Sequence, residues 1–141
     1  MKTMTPAEYA DFLTSGTRTA KVATVRADGR PHIAPVWFLL DGEMIVFTTW
    51  HASVKAKNMR RDPRVSLCVE DDTPPFAFAI VEGTAALTDD AGDLRAWATR
   101  IAARYMGAER AASYGECNGV PGELLVRVTP AKVTAQRGIA D

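Results

Sequence analysis

The sequence predicts a mainly-β fold: an antiparallel barrel of six or seven strands with short flanking helices, in a chain that pairs with itself. Three observations predict it. Two Asp-Gly turns, one in ADGRP (Ala27–Pro31) and one at Asp41–Gly42, separate runs of strand length, and Asp-Gly is a strong hairpin signal. Helical spacing of apolar residues is confined to short stretches near either end and in the middle. VWFLL (Val36–Leu40), MIVF (Met44–Phe47) and AFAIV (Ala77–Val81) are apolar on both faces. One face can fill a barrel; the other must be covered by a helix, a ligand or a second copy of the chain. The expectation is therefore a homodimer.

The elements follow in order. Thr5 can cap a short helix whose first position is Pro6 and whose third residue after the cap is Glu8, an N-terminal signature. Tyr9, Phe12 and Leu13 then share one face. Ala20–Val25, His32–Leu40 and Glu43–Thr49 read as three strands of a meander, joined by the two Asp-Gly turns. Ser53 can cap a helix running to Arg61, which Pro63 ends. Arg64–Asp71 and Phe76–Thr88 are the next strands, the second bent at Gly83. Asp89 or Asp90 can cap a helix whose Leu94, Trp97, Ile101 and Tyr105 form one apolar stripe. The stretch 106–122 reads as helical at first and then irregular, and Glu123–Gly138 supplies one or two further strands. Cys68 lies in an apolar run and reads as a small core residue.

Composition narrows the function. With 141 residues and 47% hydrophobic content the expectation is a single domain spanning residues 1–141. Seventeen basic residues balance seventeen acidic ones, which argues against a nucleic-acid binder. No run approaches the ~20 apolar residues of a membrane span, the N-terminus does not read as a signal peptide, and a cytoplasmic location is expected. Two cysteines and two histidines, none closely spaced, make no metal pattern.

Lys55, Lys57, Arg60, Arg61 and Arg64 crowd into ten residues beside a single acid, Asp62. Lysines in a first helical turn oppose the macrodipole. Two readings stand: a solvated basic face, or a site where a bound anion compensates them. The second draws on Ser53 and the free amides of the first turn as a phosphate cup, on Asn58 three residues after Lys55, and on the hydroxyls of Thr48 and Thr49 ending the preceding strand. Pro35 cannot donate to a ladder, so it marks an edge, a bulge or a gap. Val36, Trp37 and Phe38 after it offer apolar and aromatic surface for a flat heterocycle. The alternative is a bulged strand with Trp37 in the core or the dimer interface. No nucleophile motif, paired carboxylates or GxGxxG occurs, so any redox chemistry belongs to a cofactor and the catalytic residues are not assigned. His51 and Tyr114 are named only because they can donate protons.

DGRPHIAPVWFLLDG, FTTWHASVKAKNMRRDPRVSLCVED and VEGTAAL together resemble the split-barrel flavin and deazaflavin oxidoreductases related to pyridoxamine 5′-phosphate oxidase, and more closely their coenzyme F420-dependent branch. The resemblance implies a split barrel, a homodimer, and a cofactor held between subunits. It implies that Ser53 and Lys55 hold the cofactor phosphate, with Thr48 and Thr49 near the ring or its side chain and Asn58 beside the tail. It sets Pro35, Val36 and Trp37 against the ring, Lys57 and Arg61 along the tail, and Arg137 reaching across from the other subunit. The implied activity is hydride transfer from the reduced deazaflavin to an unsaturated small molecule. The alternatives are an FMN-dependent oxidoreductase and a non-catalytic deazaflavin carrier. Val54 stands where the flavin-phosphate oxidases commonly have arginine, which weakens the case for FMN.

Overall fold

A computed structural model describes residues 1–141. The chain runs β1 (Lys2–Thr3), α1 (Pro6–Thr14), β2 (Ala20–Val25), β3 (Pro31–Val36), β4 (Leu39–Asp41), β5 (Met44–Trp50), α2 (Val54–Arg61), β6 (Arg64–Asp71), β7 (Ala77–Thr88), α3 (Ala91–Met106), α4 (Ala108–Asn118) and β8 (Glu123–Arg137). All ladders are antiparallel, in the order β3-β2-β6-β7-β8-β5-β4, with β1 added on β8. No helix is long and apolar enough to cross a membrane.

Local chemistry fixes most boundaries as expected. Thr5 accepts from the Glu8 amide (3.2 Å), with Pro6 in the first helical position. Ser53 accepts from the Ala56 amide (3.1 Å) and Asp90 from that of Asp93 (2.8 Å). In the β2–β3 hairpin Gly29 takes φ +87°, a left-handed conformation that favours glycine, and Asp28 accepts from the Arg30 amide at 3.1 Å.

The meander is the main correction. His32–Leu40 is not one strand. It is cut at Trp37–Phe38 into β3 and β4, which lie at opposite ends of the sheet order. Phe38 has its backbone groups satisfied elsewhere: its amide donates to the Tyr105 hydroxyl (3.2 Å) and its carbonyl accepts from Arg104 (2.8 Å). With both groups taken by α3, the strand cannot continue. No ladder joins β3 to β4, so the sheet is left split and its two edges are tied by the chain itself. The strand total rises to eight because β1 and the severed β4 count separately. Pro35 sits on the edge strand β3, the first of the three places open to it.

The split sheet still curls around one core. Val22 (β2), Val36 (β3), Phe47 (β5), Leu67 (β6), Val81 (β7) and Val126 (β8) share a single buried cluster, with Leu13 from α1 and Met59 from α2; Tyr9 and Phe12 pack on it. On the outer face α3 covers β5 and β8, where Leu94 and Trp97 meet Val46 and Leu125. This explains why MIVF is apolar on both sides. The outer face of β3-β2-β6-β7 has no such cover, and Ile33 is 65% exposed there. Cys68 pairs with Lys21 and Ile80 on this face and is half-exposed; strand alternation gives the core positions to Leu67 and Val69. The stretch after Met106 is helical through Asn118 and irregular beyond it, and Gly115 permits close crossing with α3: a Cβ there would lie 2.0 Å from Thr99 Oγ1.

The bend at Gly83 is real. The β7–β8 register slips between Glu82 and Gly83, leaving Ala131 unpaired, and a Cβ on Gly83 would meet the Thr129 carbonyl oxygen at 2.4 Å. Gly83→Ala is expected to lower stability by about 2 kcal/mol, the scale of an overpacked interior site. The control Gly92→Ala, where the nearest atom is 3.7 Å away in the first turn of a helix, should be neutral or stabilising. Urea unfolding of the two variants checks this.

Candidate functional site

A cleft of ≈ 340 Å³ opens at the split. It is lined by Thr19, Pro35, Val36, Trp37, Thr48 and Lys55, and walled by Ala98 and Ile101 of α3 and Asn118 of α4. Five of these, Pro35, Val36, Trp37, Thr48 and Lys55, are residues that the sequence singled out. They converge because β3 ends where the sheet is cut, while β5 leads straight into the N-terminus of α2.

Hydrogen bonding divides the polar residues named from sequence into two groups. Thr48 and Lys55 make no side-chain hydrogen bond or ion pair within the chain, and neither do the side chains of Thr19 and Asn118. Every polar side chain of the cleft is thus uncommitted. Those outside it are mostly engaged. Thr49 is buried and shares a 2.8 Å hydrogen bond with Ser53, whose hydroxyl also caps α2. Asn58 is buried and donates to Thr24 Oγ1 (3.0 Å) while accepting from Arg61 (3.3 Å). Arg61 also donates to the Val25 carbonyl, and Arg64 pairs with Asp62 at 2.8 Å. Lys57 is exposed on α2. Arg137 stands at the far end of β8, ion-paired with Glu8 at 2.6 Å; within one chain it does not reach the cleft.

Lys55 has a neighbour that sequence reasoning missed. Glu123 opens β8 and pairs in register with Trp50, which brings its carboxylate near the first turn of α2. Burial pushes Lys55 below the ordinary lysine value, and the Glu123 charge opposes that fall. Burial pushes Glu123 above the ordinary glutamate value, against the pull of Lys55 and His51. The two do not form a close ion pair: no Lys55–Glu123 contact lies within 4.0 Å. His51 is exposed and tied through its ring to the Gly122 carbonyl (3.1 Å). Tyr114 does not line the cleft; its ring packs on Trp37 with centroids 6.4 Å apart.

Trp37 is stacked on Tyr105 with centroids 5.0 Å apart and planes 2° from parallel. Trp37 is thus half-buried, packed on one side and lining the cleft on another. A larger cavity, ≈ 480 Å³, lies elsewhere among Met4, Tyr9, Leu40, Glu43, Pro130 and Val133. Its one charged side chain is a carboxylate, it holds none of the residues chosen from sequence, and it does not suit an anion.

Thr19, Ala98, Ile101 and Asn118 carried no sequence signal as site residues. The α3 stripe marked Ile101 and Tyr105 as packing, and nothing local announced that the same helix walls a cleft.

The family model described as pyridoxamine 5′-phosphate oxidase matches residues 5–137. The chain belongs to the pyridoxamine 5′-phosphate oxidase family. Among solved structures, this family member is similar to the conserved hypothetical protein Rv2991 of Mycobacterium tuberculosis, with 30% identity over 98% of this chain and 89% of that one and a TM-score of 0.84. It is similar to an F420 reductase, with 25% identity over 87% and 94% of the two chains and a TM-score of 0.69. It shares its fold with HutZ, a heme storage protein of Vibrio cholerae, at 19% identity over 96% and 98% and a TM-score of 0.74. The fold is thus one used by flavin-type oxidoreductases and also by a protein of another kind.

The division of polar groups has a measurable consequence. Asn58→Ala strands the buried Thr24 hydroxyl and should cost about 1–3 kcal/mol of stability. Lys55→Ala removes a half-buried ammonium without a close partner and should leave stability within about 0.5 kcal/mol or raise it. Chemical denaturation of both variants checks this. The reverse ranking would mean that Lys55 holds the fold and Asn58 is free.

Proposed function

We propose that this protein is a coenzyme F420-dependent oxidoreductase that works as a homodimer in the cytoplasm on an unsaturated small-molecule acceptor. The observation that carries the reading is Lys55: a half-buried ammonium in a cleft beside a flat apolar wall, with no hydrogen bond or ion pair of its own. The likeness to an F420 reductase supports it, as does the departure at Val54 from the flavin-phosphate pattern.

The cleft fits the group. Its volume is at the low end of the roughly 300–1,000 Å³ range of small-molecule sites. That suits a tricyclic ring but not a long tail, which would run out past Lys55 over the exposed Lys57 and Arg60 on α2. Pro35, Val36 and Trp37 would lie along the ring. Thr48 would meet the ring or the first part of its side chain, and Lys55 with the first-turn amides of α2 would hold the phosphate. Ser53 and Thr49 would serve this site by fixing the start of the helix, and Asn58 and Arg61 by anchoring its far side. When bound, the reduced deazaflavin supplies a hydride to the acceptor. The protein's part is to orient the acceptor, a contribution worth several kcal/mol when it is tight, and to exclude water with α3 and α4.

The uncovered outer face of β3-β2-β6-β7, with Val25, Ile33 and Ile80 exposed, supports the homodimer. Arg137 enters this reading only from a second copy, after release from Glu8. A carrier without turnover is the second reading, favoured by the absence of any titratable group within the cleft other than Lys55.

Lys55→Ala is expected to weaken F420 binding at least tenfold, as for a charge-assisted contact of about 1.5–3 kcal/mol, in a titration followed by tryptophan quenching. The wild type should bind F420 more tightly than FMN; the opposite order would transfer the assignment to FMN. Oxidation of the reduced cofactor by a panel of enones and quinones separates reductase from carrier.

The Lys55–Glu123 proximity predicts how affinity depends on pH. An anion is held best with Lys55 protonated and Glu123 neutral. As pH rises through the raised Glu123 value, a carboxylate forms beside the anion; as it rises through the lowered Lys55 value, the ammonium is lost. Affinity should therefore fall at both steps. Glu123→Gln should remove the lower step and Lys55→Ala the upper one. Dissociation constants measured from about pH 5 to about pH 10 check this, and a flat profile would count against an anion at Lys55.

A further inference from the structure

The indole of Trp37 forms part of the cleft wall, yet little holds it there. It lies at the cut between β3 and β4, where no ladder fixes the backbone, and its ring nitrogen has no hydrogen-bond partner. Beside it is a cleft of ≈ 340 Å³ into which an unbraced ring could swing. What does meet it comes from α3 and α4. Tyr105 stacks in parallel on one side at 5.0 Å and Tyr114 leans on it at 6.4 Å, 55° from parallel.

Tyr105 is itself fixed at its other end. Its hydroxyl donates to the Arg18 carbonyl (2.7 Å) and accepts from the Phe38 amide (3.2 Å). One side chain thus grips the backbone of the residue after Trp37 while its ring lies flat on the Trp37 indole. The next residue back, Arg104, holds the Phe38 carbonyl and also the Leu13 carbonyl (2.7 Å). Burial keeps the Tyr105 phenol above its ordinary value, so the donor proton is retained at neutral pH.

We propose that Tyr105 is a positioning residue of the cleft: stacked on Trp37 and bonded through its hydroxyl to Phe38 and Arg18, it sets the plane of the indole against which the cofactor ring lies. This rests on the function proposed above for the ligand, but not for the geometry. Tyr105 touches neither cofactor nor substrate in this reading. It acts through Trp37, and the hydroxyl and the ring contribute separately, one by placing the backbone and the other by stopping rotation of the indole.

The test uses the full chain labelled with 5-fluorotryptophan, the Trp37 resonance being identified by its loss in Trp37→Phe. Tyr105→Leu is expected to shift and broaden the Trp37 resonance more than those of Trp50 and Trp97, and to weaken F420 binding about tenfold. Tyr105→Phe keeps the stack and should broaden that resonance with about threefold weaker binding. In the Trp37→Phe background either substitution should change affinity by less than about twofold, a coupling that a merely structural role would not produce. An unchanged Trp37 resonance in Tyr105→Phe and Tyr105→Leu, or an equal loss of affinity with and without Trp37, overturns the proposal. Should the leucine variant fail to fold, the phenylalanine variant in the two backgrounds gives the same decision. A wild-type chain that binds no deazaflavin overturns the functional reading instead, and the fluorine resonance alone then decides the role of Tyr105.

Discussion

The structure depends on one interruption. At Phe38 the chain leaves one edge of the sheet and enters the other, because its amide and carbonyl are taken by Tyr105 and Arg104 of α3 rather than by a neighbouring strand. A buried backbone group must be paired somewhere, and Phe38 is fully buried, so the helix substitutes for the missing ladder. Had the ladder been completed, His32–Leu40 would have been a continuous strand and the cleft would have been filled by β-sheet. The split, the cleft and the docking of the α3 C-terminus are thus one constraint seen from three sides.

A second consequence is the separation of polar work. The chain spends Thr49, Ser53, Asn58 and Arg61 on seating α2: a capped start, a buried amide bridge to β2, and a guanidinium on the end of that strand. From the first turn of the helix so seated, Lys55 lines the cleft with no hydrogen bond or ion pair of its own. The residues that seat the helix are satisfied within the protein, while Thr48 and Lys55, which line the cleft, have no partner of their own.

Much of this was legible in the sequence, and the limits were physical. Thr5, Ser53, Asp90 and Gly83 announced themselves because caps and close approaches depend on one residue and its near neighbours. Pro35 announced an edge for the same reason. The cut at Trp37–Phe38 was illegible, since both residues favour strands and the groups that end the strand lie 66 and 67 positions away. Cys68 was misplaced because an apolar run does not reveal which alternate residues face inward when the outer face is also apolar. The basic run was legible as a feature but not in its roles. Asn58 and Lys55 are three apart, a spacing that groups them, yet Asn58 is buried against Thr24 of β2 whereas Lys55 lines the cleft. Glu123 was invisible, because only the β5–β8 register brings it to Lys55.

Opposing the macrodipole costs an exposed lysine a few tenths of a kcal/mol, and for the exposed Lys57 no further account is needed. Lys55 is different. It is half-buried, it carries the dipole penalty, and it lacks a partner within ion-pair distance, with Glu123 acting only across a gap. A chain under selection for stability alone would shed such a group or close the pair, and neither has happened. Arg64, by contrast, is closed onto Asp62, and Arg61 onto a strand end. Within one basic run, then, the outer charges are neutralised by the chain or by water, and the one that faces the cleft is held open. That asymmetry sets Lys55 apart from the rest of the basic run, and it is the feature that the proposed anion would account for.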